Sequence, residues 1–162
     1  MFREMRRKKQ ELPKEEAISI LRQATSGVLA VEGDGGYPYA VPLSFVYADG
    51  KIFFHCAKEG HKLDAIRRND RASFCVIAQD QVVPEEYTTY FRSAIAFGQV
   101  RILEGDEALA AVCLLCEKYA PGDLDGRDQE IRNTAGRLCM LELSVEHLTG
   151  KECIELTRKR TP

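Results

Sequence analysis

The sequence has no apolar run near the ~20 residues that a membrane-spanning helix needs. Its first ten residues are charged where a secretory signal peptide would require an apolar core. Neither sign of charge is in excess, because 23 Lys and Arg residues stand against 25 Asp and Glu residues and leave a net charge of −2. We therefore expect a cytoplasmic protein with neither a membrane nor a nucleic acid as its partner.

The motifs of the common nucleotide and metal sites are also missing. The glycines of 33–36 precede a predicted strand rather than a helix, so they form no dinucleotide fingerprint, and no GKS/T phosphate loop occurs. Cys113 and Cys116 have zinc-like spacing, but no second Cys/His pair at structural-zinc spacing accompanies them. The six cysteines are therefore predicted to be reduced thiols, with no metal and no disulfide.

Length and composition predict one domain over residues 1–162. About 44% of the 162 residues are hydrophobic, and a domain of this size buries roughly 68–70% of its unfolded surface, which suffices for one core. The ends are predicted to lie outside that core, as a basic N-terminal tail at 1–10 and a C-terminal tail at 157–162.

Hydrophobic periodicity predicts a mainly β protein of the α+β type. Short apolar or alternating segments indicate strands at 28–31, 37–47, 51–56, 71–78, 90–103 and 139–145, with a further edge strand within 151–156. Asp49 and Gly50 mark a tight hairpin. Helical spacing indicates helices near 13–24, 61–69, 106–119 and 128–134. Six or seven antiparallel strands avoid exposed edges by closing into a barrel.

One segment combines features that suit a phosphate. It leaves a strand at His55, turns at Gly60 and enters a helix while carrying Lys58 and Lys62. A helix N-terminus offers unpaired N–H groups and partial positive charge, and lysine adds a mobile full charge. The alternative is that both lysines are solvated and that His55 merely ends a strand, and the residues alone leave the two interpretations open.

Two further segments are candidates for a ligand site. A strand whose pairing is interrupted near Pro42 would leave backbone groups free for the edge of a flat heteroaromatic ring, although core packing with an edge bulge is the alternative. Tyr87, Tyr90, Arg92 and Ser93 mix stacking surfaces with hydrogen-bond donors that could reach a ligand or a neighbouring subunit. Ordinary surface residues beside a strand would give the same pattern.

Three segments carry a family resemblance: 36–45, 53–64 and 90–98. With these, the chain resembles the nitroimidazole-resistance (Nim) branch of the pyridoxamine 5′-phosphate oxidase-like flavoproteins, in the same order and spacing over residues 10–145. The resemblance implies a six- to seven-stranded antiparallel split β-barrel with two to four peripheral helices. It also implies a homodimer that binds flavin mononucleotide (FMN) in the clefts between its subunits.

The resemblance also implies which residues bind FMN. Pro42, Leu43 and Ser44 would lie along the flavin ring. His55, Cys56 and Lys62 would lie near the ribityl phosphate, with Lys58 in the same set, and Cys56 stands where family members commonly have serine. Strand 90–103 would contribute Tyr90 and Ser93. No residue is predicted to be catalytic, because the cofactor carries the redox chemistry.

The function expected from the resemblance is that of an FMN-dependent oxidoreductase. A reduced pyridine nucleotide or another donor would reduce the flavin, and a small acceptor such as a nitroaromatic would take the electrons. Oxidation of pyridoxamine phosphate itself is disfavoured, because the basic C-terminal substrate-binding segment of true oxidases is not recognisable. The alternatives are a flavin- or haem-binding module without turnover, acting as a sensor or store, and a structural dimer with an empty cleft.

Overall fold

Eight strands and five α-helices make up the part of the chain that the computed structural model describes, residues 1–134 and 136–160. The strands are β1 (Glu11–Leu12), β2 (Ser26–Glu32), β3 (Pro38–Ser44), β4 (Val46–Ala48), β5 (Lys51–Ala57), β6 (Arg71–Val83), β7 (Thr88–Leu103) and β8 (Leu138–Glu152). The helices are α1 (Lys14–Gln23), α2 (His61–Arg68), α3 (Gly105–Tyr119), α4 (Leu124–Thr134) and α5 (Ile154–Arg160). Among the described residues, no helix is long and apolar enough to cross a bilayer.

The strands form one antiparallel sheet in the order β3-β2-β6-β7-β8-β5-β4, with β1 added beside β8. The two ends of this order, β3 and β4, are consecutive in the chain and are separated by Phe45 alone. The sheet therefore curls into a barrel whose ring is completed by a covalent link rather than by hydrogen bonds. We call this link, at Phe45, the seam of the barrel.

Local sequence explains the turns that shape the sheet. Asp49 and Gly50 connect β4 to β5 with φ angles of 48° and 78°, the two positive values that a type I′ hairpin requires. The predicted hairpin is thereby confirmed. Gly98 marks a bulge between β7 and β8, and a Cβ atom placed there would lie 1.9 Å from the carbonyl oxygen of Ser144. Only glycine allows the two strands this close approach.

Two apolar cores lie on opposite faces of the sheet. The larger one fills the barrel and includes Phe45, Phe54, Phe74 and Leu141, while Leu63 of α2 and Leu21 of α1 add to it from the ends. The smaller one lies outside, where Leu115 of α3 packs over Phe53 and Met140. The placement of α3 over β5 and β8 creates the region in which the candidate site is found.

The fold class predicted from the sequence is confirmed, with an antiparallel, mainly β barrel and peripheral helices. The count of strands is eight because β1 forms and because the predicted strand 37–47 is two strands. The predicted edge strand at 151–156 is wrong. The central strand β8 continues to Glu152, and the predicted tail from residue 157 is helical as far as Arg160. Residues 161 and 162 lie outside the described residues.

A buried carboxylate explains this ending. The Glu152 side chain is 0% exposed and is paired with Arg92 of β7 at 3.1 Å and with Arg160 of α5 at 2.8 Å. A buried carboxylate requires such partners, and Arg160 reaches it only if the chain coils after β8. The N-terminal segment is also partly ordered, since residues 8–10 form a 3₁₀ turn in which Gln10 is buried.

Candidate functional site

The seam of the barrel is closed by the end of helix α3. Phe45 is fully buried and packs edge-on against Phe74, with ring centroids 4.8 Å apart. Its N–H donates to the Tyr119 hydroxyl at 2.9 Å, and its carbonyl accepts from Lys118 Nζ at 3.0 Å. The Lys118 ammonium also donates to the carbonyl of Ala24 and lies 4.2 Å from the centre of the Phe45 ring. We call Lys118 and Tyr119 the α3 clamp.

The α3 clamp corrects one sequence-based expectation. The pairing of the strand was expected to break near Pro42, but β3 pairs with β2 throughout, with Pro42 opposite Val28, and the break falls at Phe45. Proline is tolerated because β3 lies at the end of the strand order, where one side of its backbone has no strand partner. The backbone groups at the break are not free for a ligand, since the α3 clamp binds them.

The sequence interpretation missed the α3 clamp altogether. The predicted helix 106–119 contains both residues, but its pattern assigns neither of them a contact. Burial lowers the pKa of the Lys118 ammonium, because moving a cation away from water disfavours its charged form. A lysine and a tyrosine at a helix end before Pro121 carry no sequence signal that would distinguish this role from a solvated C-terminus.

An apolar cavity lies beside the seam, between α3, α4 and the outer face of β5 and β8. Its volume is about 310 Å³, at the lower end of the range for small-molecule sites. Leu115, Cys116 and Met140 line it, together with the Tyr119 ring, and its polar lining residues are Ser44, His55 and Glu130. The cavity thus brings together two of the predicted site residues, one from β3 and one from β5.

The turn from β5 into α2 begins two residues after His55, which lines this cavity. Successive side chains of β5 point to opposite faces, so His55 is exposed on the outer face while Cys56, 7% exposed, faces the barrel interior. Helix α2 begins after Gly60, whose φ angle is 135°. A Cβ atom added at Gly60 would have no heavy atom within 4 Å. The carbonyl of Gly60 accepts from Leu63 and Asp64 N–H. The earlier N–H groups of the first turn, those of His61 and Lys62, have no hydrogen-bond partner among the described contacts.

The turn carries Lys58 and Lys62 alongside Glu59 and Asp64, so the positive charge at the start of α2 comes from Lys62. Lys62 is half-buried and close enough to Cys56 for its charge to favour the thiolate, while Lys58 is exposed. Burial, followed by the neighbouring Cys139, nevertheless raises the pKa of the Cys56 thiol to about 11. Cys56 therefore stays neutral near pH 7 and does not repel an anion held by Lys62.

A stacked pair fixes the start of α2 against the β2–β3 turn. The His61 ring stacks on Tyr39 with centroids 4.2 Å apart, and its Nε2 lies 3.5 Å from a carboxylate oxygen of Asp34. Arg68, at the other end of α2, donates to Asp34 at 2.7 Å. These contacts hold α2 against the sheet, so the position of its N-terminus is set by the fold.

The remaining predicted site residues, Tyr90 and Ser93, lie elsewhere. Ser93 of β7 is separated from β3 by β2 and β6, a distance of roughly 14 Å at the usual strand spacing. The Tyr90 hydroxyl donates to Glu86 at 2.6 Å, and this hydrogen bond raises the pKa of the tyrosine. Within one chain the predicted residues thus form two groups: a β5 group of Pro42, Leu43, Ser44, His55, Cys56, Lys58 and Lys62, and a β7 group of Tyr90 and Ser93.

The outer face of the sheet connects these two groups. Directly paired residues share a face, and one row runs from Pro42 through Val28 and Cys75 to Ile95. The face is apolar and exposed: Ile77 is 67% exposed, and Val28, Ile95 and Phe97 are each 37% exposed. Ser93 lies on the same face, because it pairs with Ile77. Exposed apolar patches of this kind commonly mark interaction surfaces.

Together, the sheet order and its break at Phe45 define a split β-barrel protein. The chain belongs to the pyridoxamine 5′-phosphate oxidase family, whose sequence model matches residues 13–152. The family resemblance inferred from the sequence is confirmed. No curated protein matches the chain at a significant level.

Solved structures share the fold. A conserved hypothetical protein from Mycobacterium tuberculosis has a TM-score of 0.80 and 19% identity, covering 98% of this chain and 94% of that one. A proposed 5-nitroimidazole antibiotic resistance protein from Bacteroides thetaiotaomicron has a TM-score of 0.73 and 23% identity, covering 88% and 86%. An FAD- and haem-binding protein from Mycobacterium smegmatis has a TM-score of 0.74 and 20% identity, covering 95% and 80%. At these identities the likeness establishes the fold.

Proposed function

We propose that the protein binds FMN between the subunits of a homodimer and uses it to reduce a small acceptor such as a nitroaromatic. The observation that carries the proposal is that one short stretch of chain, from His55 to Lys62, lines the apolar cavity at its start and supplies a lysine at the N-terminus of α2 at its end. A cation and free N–H groups at one end, and an apolar wall at the other, match a ligand with a phosphate and a flat ring.

The residues of the β5 group fit FMN chemically. Open space above Gly60 leaves room for a phosphate at the start of α2, and Lys62 would add a charge-assisted hydrogen bond. Pro42 and Ser44 would border the ring from β3, with His55 nearby on β5. When bound, FMN would supply the electron transfer. The chain would orient the ring and exclude water from it through Leu115 and Met140.

The proposed homodimer explains the separation of the two residue groups. If two copies pack through the apolar outer face about a two-fold axis, the β7 group of one copy approaches the β5 group of the other, because Ser93 and Pro42 lie on that same face. Isologous packing also removes Ile77 and Phe97 from water. The cleft between subunits would then be lined by both groups.

The acceptor and the location are proposed from the relatives and from the cysteines. Proteins of this fold include one proposed to confer 5-nitroimidazole resistance and one that binds FAD and haem, and a reduced pyridine nucleotide is the electron donor we propose. The six cysteines are all free thiols, which suits the reducing cytoplasm.

The test is a titration of the purified protein with FMN and, in parallel, with riboflavin, which lacks the phosphate. For Lys62→Ala we expect FMN affinity to fall roughly ten- to a hundredfold, the equivalent of a charge-assisted contact worth about 1.5–3 kcal/mol, with little change for riboflavin. Lys14→Ala is the matched control, because Lys14 is an exposed lysine on α1.

Equal losses for both ligands would show that Lys62 does not contact the phosphate. Light scattering should give twice the chain mass of 18.2 kDa. The absorption spectrum separates the alternatives, since flavin has paired near-ultraviolet and blue bands, whereas haem has a dominant Soret band. A monomer that binds no FMN at high concentration would overturn the proposed function, and FMN binding without turnover of any acceptor would leave the storage or sensing module instead.

A further inference from the structure

Two cysteines face each other across the β5–β8 ladder. Cys56 pairs with Cys139 in the register of these strands. Just before β5, the N–H of Val145 donates to the carbonyl of Gly50 at 2.9 Å. Hydrogen-bonded pairs recur every second residue of an antiparallel ladder, so Cys56 and Cys139 form such a pair, with Cα atoms about 5.5 Å apart. Disulfides join Cα atoms about 4.4–6.8 Å apart.

The side chains also meet. Both cysteines belong to the interior side of the barrel, Cys56 within the core and Cys139 packed against it and half-buried. Burial, followed by the neighbouring Cys139, raises the pKa of the Cys56 thiol to about 11, and the Cys139 thiol donates to the carbonyl oxygen of Met140 at 4.0 Å. Cys56 therefore keeps its proton at neutral pH, and Cys139 is the more exposed residue of the pair.

We propose that Cys56 and Cys139 form a dithiol that a hydroperoxide such as hydrogen peroxide converts into a cross-strand disulfide. The Cys139 sulfur attacks one peroxide oxygen; the O–O bond breaks, the other oxygen takes the Cys139 proton and leaves as water, and a sulfenic acid forms. The Cys56 sulfur then attacks the Cys139 sulfur, the S–O bond breaks, and the oxygen leaves as water with the Cys56 proton. The pair loses two electrons and two protons, and the peroxide becomes two waters.

The other cysteines lack this arrangement. Cys75 lies on the outer face of β6, opposite Val28 and Ile95 rather than another thiol. Cys113 and Cys116 are i, i+3 neighbours on α3, with Cβ atoms about 5–6 Å apart on one helix rather than opposite each other across a ladder. Cys153 follows the end of β8 and has no cysteine opposite it in the described strand pairings, so Cys56 and Cys139 are the cysteines in direct register, and their disulfide would link β5 to β8.

The test is peroxide treatment of the reduced, full-length protein, followed by blocking with N-ethylmaleimide and tryptic mass spectrometry. Trypsin releases peptides 52–58 and 138–151, each with one cysteine. We expect these two peptides to appear joined, with a mass two hydrogens below their sum, and to separate again with dithiothreitol. Peroxide treatment of the same protein in 8 M urea is the reference for unpositioned thiols, and there the yield of this link should be at least tenfold lower.

Variants test the order of the steps. Cys139→Ser should abolish the link and leave Cys56 unoxidised at the same peroxide dose, whereas Cys56→Ser should leave Cys139 as a sulfenic acid that dimedone traps. Cys75→Ser, a matched single-thiol change, should leave the link unchanged. Independent conversion of both thiols to sulfonic acids without a link would overturn the proposal. So would equal yields in folded and urea-treated protein. The test requires no flavin, so its outcome is separate from that of the proposed function.

Discussion

The α3 clamp makes a prediction about the stability of the barrel. Tyr119→Phe removes one hydroxyl, which accepts the N–H of Phe45 at 2.9 Å and reaches the carbonyl oxygen of Thr25. Because Phe45 is fully buried, its N–H group would lose its only partner among the described contacts. An unsatisfied buried donor costs about 1–3 kcal/mol.

The exposure of the tyrosine narrows this range. Tyr119 is 42% exposed, so water can approach the vacated position from one side and recover part of the loss. We therefore expect a destabilisation of about 1–2 kcal/mol. For a chain of this length each kcal/mol lowers the melting temperature by roughly 2–4 °C, which gives a decrease of about 2–8 °C.

The assay is thermal unfolding followed by far-ultraviolet circular dichroism, with Tyr37→Phe as the control. Tyr37 is 78% exposed, and substitutions at such positions change stability by no more than about 0.5 kcal/mol. Lys118→Met removes the donor to the carbonyl of Phe45, the residue whose N–H Tyr119 binds. The effects of Lys118→Met and Tyr119→Phe on stability should therefore deviate from additivity by about 0.5 kcal/mol or more in the double variant. A Tyr119→Phe melting temperature equal to that of Tyr37→Phe would refute the clamp.

Two other predictions concern the sheet. Gly98→Ala places a Cβ atom 1.9 Å from a backbone oxygen of β8, and we expect a loss of about 3 kcal/mol or more in urea unfolding; a loss below 1 kcal/mol would contradict this packing. Burial raises the pKa of Glu142, but hydrogen bonds from Arg101 and Lys51 outweigh it and lower the pKa overall. Because the pKa of Glu142 is lower in the folded state than in the unfolded state, its ion pairs stabilise the fold at pH values above the unfolded-state pKa of about 4.3. This contribution to the free energy of unfolding is lost as the pH falls through the folded-state pKa. Glu142→Gln should therefore lower the urea midpoint at pH 7 more than at pH 3.5, and an equal decrease at both values would contradict the linkage.

Most of the barrel could be predicted because its signals are local. The Asp49 and Gly50 hairpin, the strand 51–56 and the helix that follows Gly60 each depend on residues a few positions apart. The members of the β5 group that lie between β5 and α2 could be predicted for the same reason, since they are near neighbours in the chain. Their placement beside the N-terminus of α2 follows from sequence order alone.

The missed features depend on contacts between distant parts of the chain. Phe45 and Tyr119 are 74 positions apart, and the burial of the Phe45 N–H by α3 decides where the predicted strand 37–47 breaks. The helical end of the chain has a similar cause. Arg160 of α5 pairs with the Glu152 carboxylate, which is fully buried only after β7 and β8 have paired. Neither contact leaves a periodic pattern in the sequence, so local propensity predicts a continuous strand in one case and a solvated tail in the other.

The register of the sheet gives the proposed two-subunit site a geometric requirement. Ser93 and Pro42 lie on one face of the sheet, but two strands, β2 and β6, separate β7 from β3, so the two residues cannot approach each other within one chain. A single chain therefore cannot line one ligand with both groups. A second copy, inverted by a two-fold axis through the middle of this face, brings β7 of one chain towards β3 of the other, and it does so twice. Any flavin that contacts both Ser93 and Lys62 thus requires the dimer, and a monomeric variant should lose FMN affinity even with every residue of the β5 group intact.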